Sequence, residues 1–270
     1  MLISIPHARF AISAAPFARS LFPVSVILIF LLVVLILSAG MFGYFEATYR
    51  AASAISLGTW ESISTFGDVR ALFALLLPLS LRYRKVIWPI ILAALIGWLL
   101  TYGLKHLLHV PRPGQFFQVD PRLTQSESMG HFSTPSNHAV MVFAFVGVWI
   151  TFLPGRWTLP LVLLASIVGF SRVAIGAHWP VDVLAGAVVG CMAAYTGICL
   201  SQVWRWGESH GSQWILFTLM AISAMTLPFI DASFPQSFIV RIVLTLLALG
   251  TVITLFGIPL GKRFSARIRT

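Results

Sequence analysis

Eight stretches of this chain are apolar enough to lie in hydrocarbon, and that restricts what it can fold into more than any other feature. They are 21–42, 67–81, 86–104, 138–154, 158–176, 181–200, 213–230 and 238–259. A helix that crosses a bilayer needs roughly 20 apolar residues, with a range of about 17–25; the second run is the shortest. Composition points the same way, with 58% hydrophobic and only 10% charged residues, where soluble domains carry about 25% charged. The expected fold class is all-α, a polytopic transmembrane helix bundle of about eight spans. The first run exceeds a signal-peptide core of about 7–15 residues, so it is expected to stay as a helix.

A net charge of +10 would suit a nucleic-acid partner, but its distribution argues for no nucleic acid. Arg9 and Arg19 precede the first run, Arg82, Arg84 and Lys85 follow the second, Arg156 the fourth and Arg205 the sixth. Lys262, Arg263, Arg267 and Arg269 follow the last. If the spans alternate, all these loops share one side, and Glu46, Glu61, Asp68, Asp120, Glu127, Asp182 and Asp231 share the other. Lys and Arg in short loops mark the cytoplasmic face, so both termini are expected there, in a bacterial cytoplasmic (inner) membrane. Cys191 and Cys199 lie eight residues apart on one expected helix. They are too distant for a disulfide, which needs Cα atoms within about 7 Å.

The chain has no repeat of fixed period. Residues 1–20 read as an interfacial lead-in, and 43–66 as a loop whose Tyr44, Phe45, Tyr49 and Trp60 suit the membrane interface. Segment 105–137 holds Pro111, Pro113, Pro121 and Pro135, which argue against a long helix. Gly186 and Gly190, followed by Ala193, Ala194 and Gly197, are small residues at helix-packing spacing. Trp88, Trp149, Trp204, Trp206 and Trp214 fall near expected span ends, as an interfacial belt requires.

Three stretches carry the chemistry: Lys105-x6-Arg112-Pro113, Pro135-Ser136-Asn137-His138, and Ser171-Arg172-x5-His178-x3-Asp182. By alternation, all three reach the extracytoplasmic face. Arginine's planar fork binds phosphate oxygens in pairs and lysine adds a point charge. His178 and Asp182, four apart, would lie on one helical face. The carboxylate would then fix one imidazole nitrogen and free the other to attack phosphorus. His138 is placed to give the leaving oxygen a proton. Ser136, Asn137 and Ser171 add hydrogen-bonding groups, the first two at a helix start that favours an anion. Of the remaining histidines, His106, His109 and His131 read as loop or headgroup contacts; no HExxH-type pattern occurs, so no metal and no cofactor are expected.

In order and spacing these stretches resemble the signature of the type 2 phosphatidic acid phosphatase superfamily: K-x6-RP, PSGH and SR-x5-H-x3-D. The resemblance covers roughly 85–200, and His178-Trp179-Pro180-Val181-Asp182-Val183-Leu184-Ala185-Gly186 is also typical of its bacterial members. It implies a metal-independent phosphoric ester hydrolase acting on lipid phosphates through a phosphohistidine. In that scheme His178 is the nucleophile, His138 the general acid and Asp182 the orienting carboxylate. Lys105, Arg112 and Arg172 bind the phosphate. Asn137 stands where the family has glycine, and the last two spans have no counterpart in the family's six-helix plan. The implied organisation is a lead-in 1–20, a membrane phosphatase domain 21–200 with its core at 85–200, and 201–270 as two added helices with a basic tail. The resemblance implies a substrate among those of its bacterial members: undecaprenyl diphosphate, phosphatidate, phosphatidylglycerol phosphate or lipid A phosphates. Phosphotransfer to a lipid acceptor would use the same residues, whereas a non-catalytic lipid carrier would place polar groups near mid-span. The expected partners are a lipid phosphate substrate and membrane lipids, with oligomeric state open.

Overall fold

The computed structural model describes residues 14–40, 42, 44–117, 132–229 and 235–257. His131, Asp120, Glu127, Asp231, the segment 1–13 and the basic residues after 257 lie outside the described residues. The described residues form ten α-helices, which run α1 (Ala14–Ala39), α2 (Phe45–Ala52), α3 (Leu57–Thr65), α4 (Val69–Ser80) and α5 (Ile87–Leu108). They continue α6 (Asn137–Phe152), α7 (Thr158–Ala174), α8 (Pro180–Val203), α9 (His210–Met225) and α10 (Phe238–Val252). No strand occurs among the described residues; Pro111 and Phe132 form one isolated antiparallel bridge.

The chain is thus an all-α membrane bundle, and the described residues of each of the eight apolar runs are mostly helical. Among the described residues, five stretches are long and apolar enough to span a bilayer: Arg84–Leu108, Gly155–Ala174, Pro180–Val203, His210–Phe229 and Pro235–Leu255. The short second run is not a span alone. α3 and α4 meet at a 57° bend and together pass the same test of length and hydropathy. The remaining two apolar helices, Pro23–Ser38 and Asn137–Phe152, are shorter.

α8 lies at the centre, against α1, α5 and α6. Its small residues make that approach feasible, because helices in lipid associate by close packing rather than by escape from water. A Cβ at Gly190 would sit 2.5 Å from the Val140 carbonyl oxygen, and one at Gly186 2.7 Å from that of Ser136. On the next turns, a Cβ at Gly197 would sit 2.7 Å from the Ala93 nitrogen. The expected packing role of this stripe is what the structure has. Cys191 and Cys199 are both free.

Two expectations change. Residues 43–66 are largely the helices α2 and α3, the latter started by Ser56, whose hydroxyl accepts from the Thr59 N–H at 3.3 Å. Phe45 and Trp60 are buried rather than interfacial. Phe45 packs edge-on against Trp179 with centroids 5.1 Å apart, and Trp60 donates to the Ala52 carbonyl at 2.9 Å. Trp88 and Trp149 also leave the belt: both are buried. Trp88 donates to the Trp204 carbonyl at 2.6 Å. Tryptophan at a span end can face lipid or the bundle; the Trp149 Nε1 is buried without a hydrogen-bond partner among the described residues.

Candidate active site

The three motif stretches meet at one pole of the bundle, where α5 and α7 end and α6 and α8 begin. The turn from α7 to α8 sets the nucleophile candidate. Gly176, at φ +83°, takes the left-handed conformation that ends a helix and that glycine adopts without a Cβ clash. The Ala177 and His178 N–H groups then fold back onto the Arg172 carbonyl at 3.0 and 3.2 Å. Pro180 opens α8, where a missing N–H costs little. His178 therefore precedes the helix and does not share a face with Asp182. The two meet through the entry turn, with Nδ1 and Oδ2 3.3 Å apart.

Asp182 is fully buried and gathers donors. Trp179 N–H reaches its Oδ2 at 2.8 Å, and the hydroxyls of Ser133 and Thr134 donate to Oδ2 and Oδ1. Ser133 Oγ also lies 3.2 Å from His178 Nδ1. Since Ser133 gives its proton to the carboxylate, Nδ1–H is the consistent donor state of the ring, which leaves the Nε2 lone pair available. Burial, followed by the positive charges of Arg112, Lys105 and Arg172, holds the His178 imidazole well below the ordinary value of about 6.5. His178 is a neutral imidazole in this site.

Around it, the cations fasten loops. Lys105 Nζ donates to the Phe132 and Ser133 carbonyls at 2.7 and 3.2 Å. Arg112 Nη1 and Nη2 donate to Ala177 and Phe132 carbonyls at 3.1 and 3.3 Å. An ammonium carries three donors and a guanidinium five, so bonds to a carbonyl and to a phosphoryl oxygen can be made together. Arg172 is fully buried, and its Nη1 donates to Ser64 Oγ at 2.7 Å.

α6 starts at Asn137 with Ser136 as its flanking residue, and the Ser136 N–H donates to the Asp182 carbonyl at 3.0 Å. That bond ties the starts of α6 and α8 together. Ser136 Oγ and Asn137 Oδ1 are buried without a hydrogen-bond partner among the described residues, as expected of groups awaiting a ligand. His138, in the first turn of α6, lies against Gly67: a Cβ there would come within 2.9 Å of the ring carbon Cδ2. Its charge acts on His178.

Of the residues expected from sequence, Lys105, Arg112, Ser136, Asn137, His138, Arg172, His178 and Asp182 come together. Ser171 does not face them; its hydroxyl donates to the Val168 carbonyl of its own helix at 2.6 Å. His106 and His109 pack on the Phe132 ring, with centroids 6.0 and 4.4 Å away. No group of three or more His, Cys, Asp or Glu able to hold a metal occurs among the described residues. Sequence reading missed Ser133, Thr134, Ser64 and Gly67. Ser133 and Thr134 had a signal, two hydroxyl residues directly before Pro135-Ser136-Asn137-His138.

Residues 71–207 match the PAP2 superfamily, and the chain belongs to that family. A curated relative, the undecaprenyl-diphosphatase of Sulfolobus acidocaldarius, is 30% identical over 118 residues, or 43% of this chain. The aligned stretch spans only 56% of that relative's length. Among solved structures, Aquifex aeolicus LpxE is 24% identical with a TM-score of 0.48, over 57% of this chain and 93% of that one. The transmembrane PAP2-type phosphatidylglycerolphosphate phosphatase of Bacillus subtilis is 21% identical with a TM-score of 0.45, over 72% of this chain and all of that one.

Proposed function

We propose that this chain is a membrane lipid phosphatase that hydrolyses a lipid phosphate or diphosphate ester through a phosphohistidine on His178. The observation that carries the reading is His178 itself: a buried neutral imidazole whose Nδ1 faces Asp182 at 3.3 Å, surrounded by the charges of Arg112, Lys105 and Arg172. In the first step Nε2 bonds to phosphorus as the bond from phosphorus to the leaving oxygen breaks, and His138 gives that oxygen a proton. In the second, His138 takes a proton from water, whose oxygen attacks phosphorus and releases His178. The three cations stabilise charge that builds on the phosphoryl oxygens. Asp182 keeps the ring oriented and stabilises the charge it acquires. No step calls for a metal.

The Sulfolobus relative's name favours a polyprenyl diphosphate as substrate, ahead of phosphatidate or phosphatidylglycerol phosphate. The loops bearing Arg82, Arg84, Lys85, Arg156 and Arg205 adjoin helix ends at the pole opposite the site. By the positive-inside rule, this supports a multi-pass protein of the cytoplasmic membrane whose site faces outward.

The test is phosphate release by purified protein in detergent from undecaprenyl diphosphate, phosphatidate and phosphatidylglycerol phosphate. Wild type is expected to turn over the diphosphate best, in chelator as well as without it. His178→Ala is expected to lose turnover by a factor on the order of 10³ or more, as for removal of a covalent nucleophile. Undiminished hydrolysis in that variant rules the mechanism out.

A further inference from the structure

Ser64 belongs to α3, outside the segment that carries the motif stretches, yet it is buried against Arg172 with a 2.7 Å bond from Nη1. α3 packs along α7, and Trp60 meets Phe170 edge-on at 5.4 Å. Gly58, Glu61 and Ser64 follow one another at intervals of three residues, forming one stripe of this helix. The first two are covered by the C-terminal part of the chain. Glu61 is buried, and its Oε2 accepts from the Gln236 N–H at 3.2 Å. A Cβ at Gly58 would fall 1.8 Å from Gln236 Oε1, so the absence of a side chain admits that turn. Pro235–Ser237 is the short helical turn leading straight into α10. α9 and α10 pack on α4, the other half of the bent pair.

We infer that the C-terminal helix pair braces the phosphate-binding end of the bundle: it clamps α3 at Gly58 and Glu61, and α3 in turn fixes the Arg172 guanidinium through Ser64. This rests on Arg172 as a phosphate ligand. Ser64 is a positioning residue, since it touches the guanidinium and not the substrate. A fork that binds phosphoryl oxygens in pairs needs its plane set beforehand. A bond made in a buried, low-dielectric setting sets it firmly. The two helices with no counterpart in a six-helix plan thereby acquire a function.

The experiment measures kcat/KM for phosphate release from the favoured lipid, and inhibition by orthovanadate, for Ser64→Ala, Ser64→Thr, Glu61→Ala and the double variant Glu61→Ala/Ser64→Ala. Loss of a hydrogen bond to a charged group is expected to lower kcat/KM about tenfold or more in Ser64→Ala. The vanadate inhibition constant should rise in step, with activity kept in Ser64→Thr. Glu61→Ala should also lose activity, and adding it to Ser64→Ala should cost nothing further, because both act through Arg172. Should Ser64→Ala not fold, Ser64→Cys, with its weaker acceptor, should show a smaller loss of the same kind. Wild-type kinetics in Ser64→Ala, or losses that multiply in the double variant, overturn the inference. Arg172→Ala run alongside separates the two ideas. Activity surviving in it removes Arg172 from the site and the brace with it; activity lost there but intact in Ser64→Ala removes the brace alone.

Discussion

At His178, burial and three neighbouring positive charges act in one direction, and both disfavour the protonated ring. The unfolded chain takes up a proton near the ordinary value of about 6.5, while the folded chain does so only at lower pH. This site therefore costs no stability above about 6.5. It takes stability away progressively as pH falls from there towards the folded value, and no more below that. Activity follows the same shift. The acid limb of kcat/KM, which reports the free enzyme, is expected below pH 6.5, measured on the lipid substrate in detergent. An acid limb centred at or above 6.5 would contradict a buried neutral nucleophile. His138 lies against Gly67. Gly67→Ala would place a methyl against its ring, 2.9 Å from Cδ2. The ring must then move, and a general acid contributes about 10²–10⁴-fold. A fall in kcat of at least tenfold is expected, with thermal stability near wild type.

Helices carried the sequence reading where they are long, and failed it where they are short. Nearly continuous apolar runs exposed α5, α7, α8, α9 and α10, since hydrocarbon thickness sets their length. α3 has nine residues, too few for a periodic pattern to stand out, and its Glu61 and Ser64 resemble loop residues until Gln236 and Arg172 cover them. Likewise the pairing of His178 with Asp182 was legible, although it is made through the entry turn of α8 and not along a helix face, whereas Ser133 and Thr134 join them only because the loop before α6 returns onto the start of α8. The small-residue stripe was legible, and it yields a test. Gly190→Ala would drive a Cβ to within 2.5 Å of the Val140 carbonyl and 2.8 Å of Phe143 Cβ. Backbone cannot yield as a flexible side chain can, so a loss of about 1–3 kcal/mol is expected. It should be read as a lower thermal midpoint in detergent. A midpoint equal to wild type would mean that α6 and α8 are not in contact at this level.

Across the whole molecule, the site occupies one pole and the basic loops the other, so topology can be checked by labelling single cysteines placed in a variant lacking Cys191 and Cys199. Phe116 and Trp157 are both exposed, near opposite poles. On the proposed orientation, a membrane-impermeant thiol reagent should label Phe116→Cys in intact cells and Trp157→Cys only after the membrane is opened. The reverse pattern would invert the protein. Seating the reactive groups at helix ends, rather than deep between helices, has an effect on which molecules the proposed enzyme would accept. A long-chained lipid could present its head there while its tail stayed dissolved among neighbouring lipids. Chain length and branching would then go unmeasured at the reaction centre, and selection would fall to the charge and shape of the head alone.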